Sequence, residues 1–169
     1  MSFPRNVGQV PVYYNFKNTG RPSTSIEQVT NSGYADVENS PLYSFGYGLS
    51  YTEFKYSDFE ISSSTMTKDS KINASIRVTN TGNYKGEEVV QLYLRDIVGS
   101  IARPMKELKG FEKIELNPGE SKIVNFEIEN SLLEFYSYNN VWESEPGKFH
   151  VFIGTDSNVR DHKEFYLTN

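Results

Sequence analysis

From about residue 56 to the end of the chain, apolar and polar residues alternate in short runs. Ile72, Ala74, Ile76 and Val78 alternate with Asn73, Ser75, Arg77 and Thr79, which predicts a strand buried on one face. Asn80-Thr-Gly-Asn83 closes it with a turn. The next run, Glu87-Glu-Val-Val-Gln-Leu-Tyr-Leu-Arg95, puts Val90, Leu92 and Leu94 on one face and Val89, Gln91, Tyr93 and Arg95 on the other. An apolar face backed by a semi-polar one predicts an inner strand of a sandwich. A further strand over residues 107–116 ends at Asn117-Pro-Gly-Glu120, where the Pro-Gly pair breaks the chain. Val124, Phe126 and Ile128 mark the return strand, and Phe149, Val151 and Ile153 mark another after Glu145-Pro-Gly147. Phe59-Glu-Ile61 predicts a first strand and residues 164–167 a last one, while residues 132–142 are less regular.

Seven or eight short strands with regular turn signals and no helical period exclude parallel βαβ units. They predict an all-β, antiparallel two-sheet sandwich of the immunoglobulin-like kind.

The first fifty residues differ in kind. Glycine, proline, asparagine and serine are dense there, and only residues 10–14 suggest a strand, followed by a turn at Asn18-Thr-Gly-Arg-Pro22. Residues 23–40 carry no period and predict loop. Between the two regions lies Pro41-Leu-Tyr-Ser-Phe-Gly-Tyr-Gly-Leu-Ser-Tyr-Thr-Glu-Phe54. Its Gly46 and Gly48 free the backbone for positive φ or close approach. Tyr43, Phe45, Tyr47, Leu49, Tyr51 and Phe54 give it more apolar area than a solvated linker needs, so it is expected to contact a surface on each side.

Composition narrows the chemistry. Lys and Arg total 17 against 22 acidic residues, a net charge of −5. Arg5, Lys17 and Arg21 balance Glu27, Asp36 and Glu38 in the first fifty residues, so the acidic excess lies beyond them. Without a basic stripe to displace counterions, nucleic acid is not an expected partner. The absence of cysteine removes disulfides, thiolate metal sites and a thiol nucleophile. No apolar run approaches the ~18 residues of a membrane span, so no membrane partner is expected. Met1-Ser-Phe-Pro-Arg5 lacks a signal pattern, which leaves either a cytosolic chain or a signal borne by a longer parent.

Candidate carboxylate pairs for acid–base work are Glu87/Glu88, Asp58/Glu60 and Glu127/Glu129. Glu127 and Glu129 share a strand face, but it is the face opposite Val124, Phe126 and Ile128, where solvent is expected. The two histidines, His150 and His162, show neither the spacing of a metal site nor a nucleophile-elbow partner. Gly46-Tyr-Gly48 lacks the lysine and helix of a phosphate loop. No metal and no cofactor are therefore expected. Tyr93, Tyr136, Tyr138, Trp142 and Phe152 are candidates for a sugar-stacking platform, with core or seam packing as the competing role.

Several strings together resemble the C-terminal end of family 3 glycoside hydrolases, the group that holds many β-glucosidases and β-xylosidases. They are Phe3-Pro-Arg-Asn-Val-Gly-Gln-Val-Pro-Val-Tyr-Tyr-Asn15, Asn18-Thr-Gly-Arg-Pro22 and the aromatic stretch from Pro41 to Phe54. Val78-Thr-Asn-Thr-Gly82, Gly86-Glu-Glu-Val-Val-Gln-Leu-Tyr-Leu-Arg-Asp96 and Arg103-Pro-Met-Lys-Glu-Leu-Lys-Gly-Phe111 follow, then Pro118-Gly-Glu120 and Glu145-Pro-Gly-Lys-Phe149. Ser44 departs from the proline the family often shows.

The resemblance implies a parent built from a barrel with an aspartate nucleophile, an α/β sandwich domain often carrying the acid/base, and a fibronectin-III-like domain. Residues 1–53 then correspond to the tail of the α/β domain plus the aromatic linker, and residues 54–169 to the fibronectin type III-like sandwich. No catalytic residue carries over, so the chain alone is expected to be no enzyme. The parent is implied to be a retaining β-glucosidase or β-xylosidase, periplasmic or secreted. The implied role is a non-catalytic accessory module whose partners are the catalytic barrel and α/β domains. Tyr43, Phe45, Tyr47, Leu49, Tyr51 and Phe54 are the expected interdomain contacts. A carbohydrate-binding module that holds polysaccharide through Tyr93, Tyr138 and Trp142 is the alternative. On its own, the arm at residues 1–40 is expected to be poorly ordered, or to mispair through its strand at residues 10–14.

Overall fold

A computed structural model describes residues 1–17, 34 and 36–169. The turn at residues 18–22 and most of the loop at residues 23–40 lie outside the described residues.

The alternating segments form two facing sheets. The first joins β1 (Phe54–Ile61), β3 (Ile72–Asn80) and β6 (Ser121–Ile128), with β3 in the middle. The second runs β2 (Thr65–Thr67), β10 (Lys163–Thr168), β9 (Gly147–Gly154), β4 (Gly86–Asp96), β5 (Glu107–Leu116). A four-residue helix α1 (Asn130–Leu133) and a two-stranded ribbon, β7 (Phe135–Tyr136) with β8 (Trp142–Glu143), bridge the sheets. Period-two patterning fixes the register, because a one-residue slip would turn each apolar row to solvent. Ile72, Ala74 and Ile76 stand opposite Ile128, Phe126 and Val124. Leu92 and Leu94 stand opposite Ile153 and Val151. These side chains, with Phe165, Leu167, Met66, Ile114 and Leu116, close the core. Each large apolar side chain buried there contributes about 1.5–3 kcal/mol.

β4 is the inner strand its two-faced pattern predicts, flanked by β9 and β5. Two details differ from a purely antiparallel sandwich. β2, not foreseen in the Ser/Thr-rich run, pairs with β10 in parallel, so the edge of the larger sheet is mixed. It is three residues long and contributes one core side chain, Met66, which is too little alternation to stand out. β1 begins at Phe54, five residues earlier than Phe59-Glu-Ile61 suggests, because Phe54 and Tyr56 also pack on the core.

Residues 10–14 do not form a strand. Pro11 lacks an N–H to give a ladder, and among the described residues no strand pairs with this segment. The arm is nevertheless docked. Phe3 pairs with Tyr43, Lys17 pairs with Pro104, and the amide of Met105 donates to the carbonyl of Phe16 at 2.8 Å. The side chain of Gln9, fully buried, donates to the carbonyls of Glu38 and Ser40. Residues 1–17 are thus held to the rest of the chain by backbone and side-chain bonds.

Candidate functional site

The aromatic stretch at residues 41–54 lies across the outer face of the larger sheet and divides into an inward and an outward set. Phe45 points inward, its ring stacked on Tyr14 with centroids 4.2 Å apart, and Tyr14 in turn meets Tyr93 edge-on at 6.0 Å. The carbonyl of Phe45 accepts from the amide of Ser157 at 2.9 Å. The Tyr14 hydroxyl accepts from the amide of Leu108 at 3.3 Å. Gly46 takes φ 84°, and the side-chain amide of Gln91 donates to its carbonyl at 3.1 Å. A Cβ on Gly46 would overlap the Gln91 amide, so glycine is required there for both conformation and space. Phe54 ends the stretch by packing on the core.

The outward set has little cover among the described residues. Tyr43 and Tyr47 face each other at 5.1 Å, and Phe3 meets Tyr43 edge-on. Leu49 is 90% exposed and Tyr51 98%. Beside them, a cleft of ≈ 400 Å³ is lined by Met1, Phe3, Tyr47, Val89 and Phe111 among others. Phe111 is itself 68% exposed, so the apolar surface runs from the linker onto β4 and β5.

The glycan candidates are dispersed. Tyr93 is fully buried, its hydroxyl donating to Gln91 Oε1 at 2.6 Å, so it is no sugar platform. It lies on the outer face of β4 as predicted, but Tyr14 and Phe45 cover that face. Phe152 is buried likewise, under the Lys106 ammonium at 4.2 Å. Tyr136, Tyr138 and Trp142 are exposed on the β7–β8 ribbon. Tyr136 and Trp142 meet at 65°, which offers an edge rather than a flat platform.

The carboxylate pairs are tied to cations or hydroxyls. Lys71 lies between Glu127 and Glu129, at 2.6 and 3.1 Å, on the solvated face where they were expected. Asp58 pairs with Arg77 at 2.7 Å and Glu87 with Lys113 at 2.7 Å. Glu88 accepts from the Tyr56 hydroxyl at 2.7 Å, and burial holds its carboxyl above the ordinary range. Asp96 is also raised by burial, against the Arg103 guanidinium 3.8 Å away. Arg103 reaches Glu107 at 2.7 Å and lies over the Phe135 ring. Burial pushes the Lys106 amine down to about 8, and it donates to the carbonyls of Ser157 and Val159. Asp58–Arg77, Glu87–Lys113 and Glu88–Tyr56 tie strand to strand, Lys106 ties the loop after β9 to the sandwich, and no two of these carboxylates flank an open cleft in the way glycoside hydrolysis requires.

The histidines overturn an expectation. Their spacing gives no hint of proximity, yet their rings stack at 4.2 Å, with Glu164 beside both. Pairing of β9 with β10 sets Glu164 opposite His150, a long-range relation that the histidine spacing does not reveal. Gln91, Tyr14, Lys106 and Glu164 were likewise missed. Gln91 alone left a signal, a long amide in the middle of an otherwise apolar strand.

An eight-stranded, two-sheet sandwich with a linker packed on its outer face defines a fibronectin-III-type domain. Residues 88–157 match the Fn3-like family, the fibronectin type III-like domain. The chain is 54% identical over 158 residues to a periplasmic beta-glucosidase of Salmonella typhimurium, a match covering 93% of this chain and 21% of that protein. It is 39% identical over 172 residues to a beta-xylosidase of Formosa agariphila, covering 99% of this chain and 22% of that one. The crystal structure of a beta-glucosidase from Listeria innocua in complex with glucose superposes with TM-score 0.90 at 41% identity, covering all of this chain and 24% of that one. The chain thus spans about a fifth of the length of these relatives. The likeness is that expected of a C-terminal segment of a family 3 glycoside hydrolase that includes a fibronectin type III-like domain.

Proposed function

We propose that the chain is the accessory module of a β-glucosidase-like enzyme, and that it stabilises and positions the catalytic barrel and α/β domains. The observation that carries this reading is the two-sided linker. Phe45 and Phe54 pack on the sandwich, while Tyr43, Tyr47, Leu49 and Tyr51 present apolar area outward. An isolated domain gains nothing from exposing Leu49 and Tyr51 so fully, whereas burial against a neighbouring domain recovers about 25 cal/mol for each Å² covered. The arm at residues 1–17 then leads from the α/β domain onto the same face, and the acidic chemistry belongs to the catalytic domains. The likeness to a periplasmic enzyme supports a periplasmic or secreted parent.

The alternative, a face that holds polysaccharide, has less support, because Tyr93 is buried and the exposed ribbon rings meet edge-on. The test is the double substitution Leu49→Ser/Tyr51→Ser in the longer enzyme that carries this chain. The reading expects a lower melting temperature and lower activity in that enzyme, with the melting temperature of the isolated chain unchanged. An unaltered full-length enzyme would refute it.

A further inference from the structure

Outside the linker surface, one side-chain cluster has the composition and spacing of a ligand set. His150 on β9 stands opposite Glu164 on β10, and its Nε2 lies 3.0 Å from Glu164 Oε1. His162, just before β10, folds its ring over His150 and brings its own Nε2 to 3.8 Å from the same oxygen. One ligand atom from each of the three residues lies within 4.8 Å of the other two. Metal–ligand bonds of ~2.0–2.2 Å in a tetrahedral zinc site set neighbouring ligand atoms ~3.3–3.5 Å apart, and the observed separations from the carboxylate oxygen bracket that value.

The surroundings orient the set. His162 Nδ1 lies 3.1 Å from the carbonyl of Arg160; donating its proton there, it leaves Nε2 as the lone-pair atom. Lys148 Nζ holds the other carboxylate oxygen, Glu164 Oε2, at 2.7 Å, which turns Oε1 toward the rings.

We propose that His150, His162 and Glu164 bind one divalent transition-metal ion of the zinc, nickel or copper type. Two imidazoles and one carboxylate select that class over magnesium or calcium, which take oxygen ligands. The two rings are within 18° of parallel, and the Nε2 of each faces the same oxygen, Glu164 Oε1. Rotation of His162, the more exposed ring, converges them on a common point, and solvent supplies the remaining ligand. The charges of Lys148 and Arg95 act on His150 and weaken its attraction for a metal ion.

The experiment is calorimetric titration of the untagged chain with zinc chloride, with cobalt(II) absorption as a second probe of ligand number. One zinc ion per chain is expected, with a melting temperature that rises with zinc concentration. His150→Ala and His162→Ala should each weaken binding by at least about 10–100-fold, the range found even for outer-shell partners of metal ligands. Lys148→Met should tighten it by removing the competing cation from Glu164. Magnesium and calcium should not bind. These side chains lie on the surface, so the metal-free melting temperature reports whether each variant is folded. Absence of saturable zinc binding, or binding that neither histidine substitution weakens in a folded chain, would overturn the proposal.

Discussion

The side-chain amide of Gln91 reaches out of β4 to the carbonyl of Gly46, donating at 3.1 Å, and so fastens the linker to the sheet. The same amide donates to the carbonyl of Thr155, while Gln91 Oε1 accepts from the buried Tyr93 hydroxyl. One side chain thereby joins the linker, the loop after β9 and the inner strand.

Replacement of Gln91 by leucine leaves two carbonyls and one hydroxyl short of partners. The cost is expected at about 2–3 kcal/mol, since a buried polar group left unsatisfied costs ~1–3 kcal/mol. Gly46→Ala should cost about 1–2 kcal/mol from its left-handed backbone alone, plus displacement of Gln91. Urea unfolding of both variants checks these values, and the Tyr14–Phe45 stack should loosen in each.

Asn80 is a second tie, fully buried where β3 ends. Its amide donates to the carbonyls of Tyr84 and Leu116, and its oxygen accepts from the Thr52 hydroxyl and the Gly82 amide. Asn80→Ala strands several of these groups at once and should destabilise the chain by about 2–4 kcal/mol. Asn80→Asp should destabilise too, because a carboxylate accepts at both oxygens while two of the partners are carbonyls. Thermal unfolding at neutral pH distinguishes both from the native chain.

Glu88 provides a pH signature with a defined sign. Burial raises its folded pKa above the unfolded value, and the Tyr56 hydroxyl partly offsets this by donating to the carboxylate. A raised carboxyl favours the protonated form in the folded state, so its contribution is present at low pH and lost as pH rises through the folded pKa. Tyr56→Phe removes the compensating donor and should raise that pKa further. The variant's loss of stability should therefore be larger at pH 7 than at pH 4, and Glu88→Gln should flatten the dependence. Urea midpoints measured across that range decide it.

The exposed ribbon gives a prediction against the glycan alternative. Substitution of Tyr138 or Trp142 by serine should change stability by less than about 0.5 kcal/mol, as is usual for exposed positions. Calorimetry of the native chain with β-glucan, xylan and chitin should show no saturable heat. Saturable heat that vanished in Trp142→Ser would favour the glycan role instead.

The sandwich was legible because period-two alternation is a local signal, and Ile72 to Val78 or Phe149 to Ile153 carry it in five to seven residues. The inner position of β4 followed from its apolar face backed by a semi-polar one. Relations set by chain partners were not legible. Tyr93 presents the same residue type whether open to sugar or covered by Tyr14, and only the path of the arm decides which. His150 meets Glu164 through strand pairing across fourteen residues, a register that the intervening loop fixes rather than the histidine spacing. Residues 10–14 suggested a strand ended by a turn, yet a short apolar run without a strand to pair with does not make a sheet. Linker aromatics were recognisable as excess apolar area, but their division into inward and outward sets required the turn at Gly46.

Amide hydrogen exchange across residues 43–52 tests the clamp most directly, measured in the isolated chain and in the longer enzyme that carries it. Leu49 and Tyr51 are nearly fully exposed here, so their amides should exchange fast in the isolated chain. The account predicts strong protection of the same amides in the full-length enzyme, with the core strands β3 and β4 equally protected in both. Equal, rapid exchange of residues 47–51 in both proteins would contradict it.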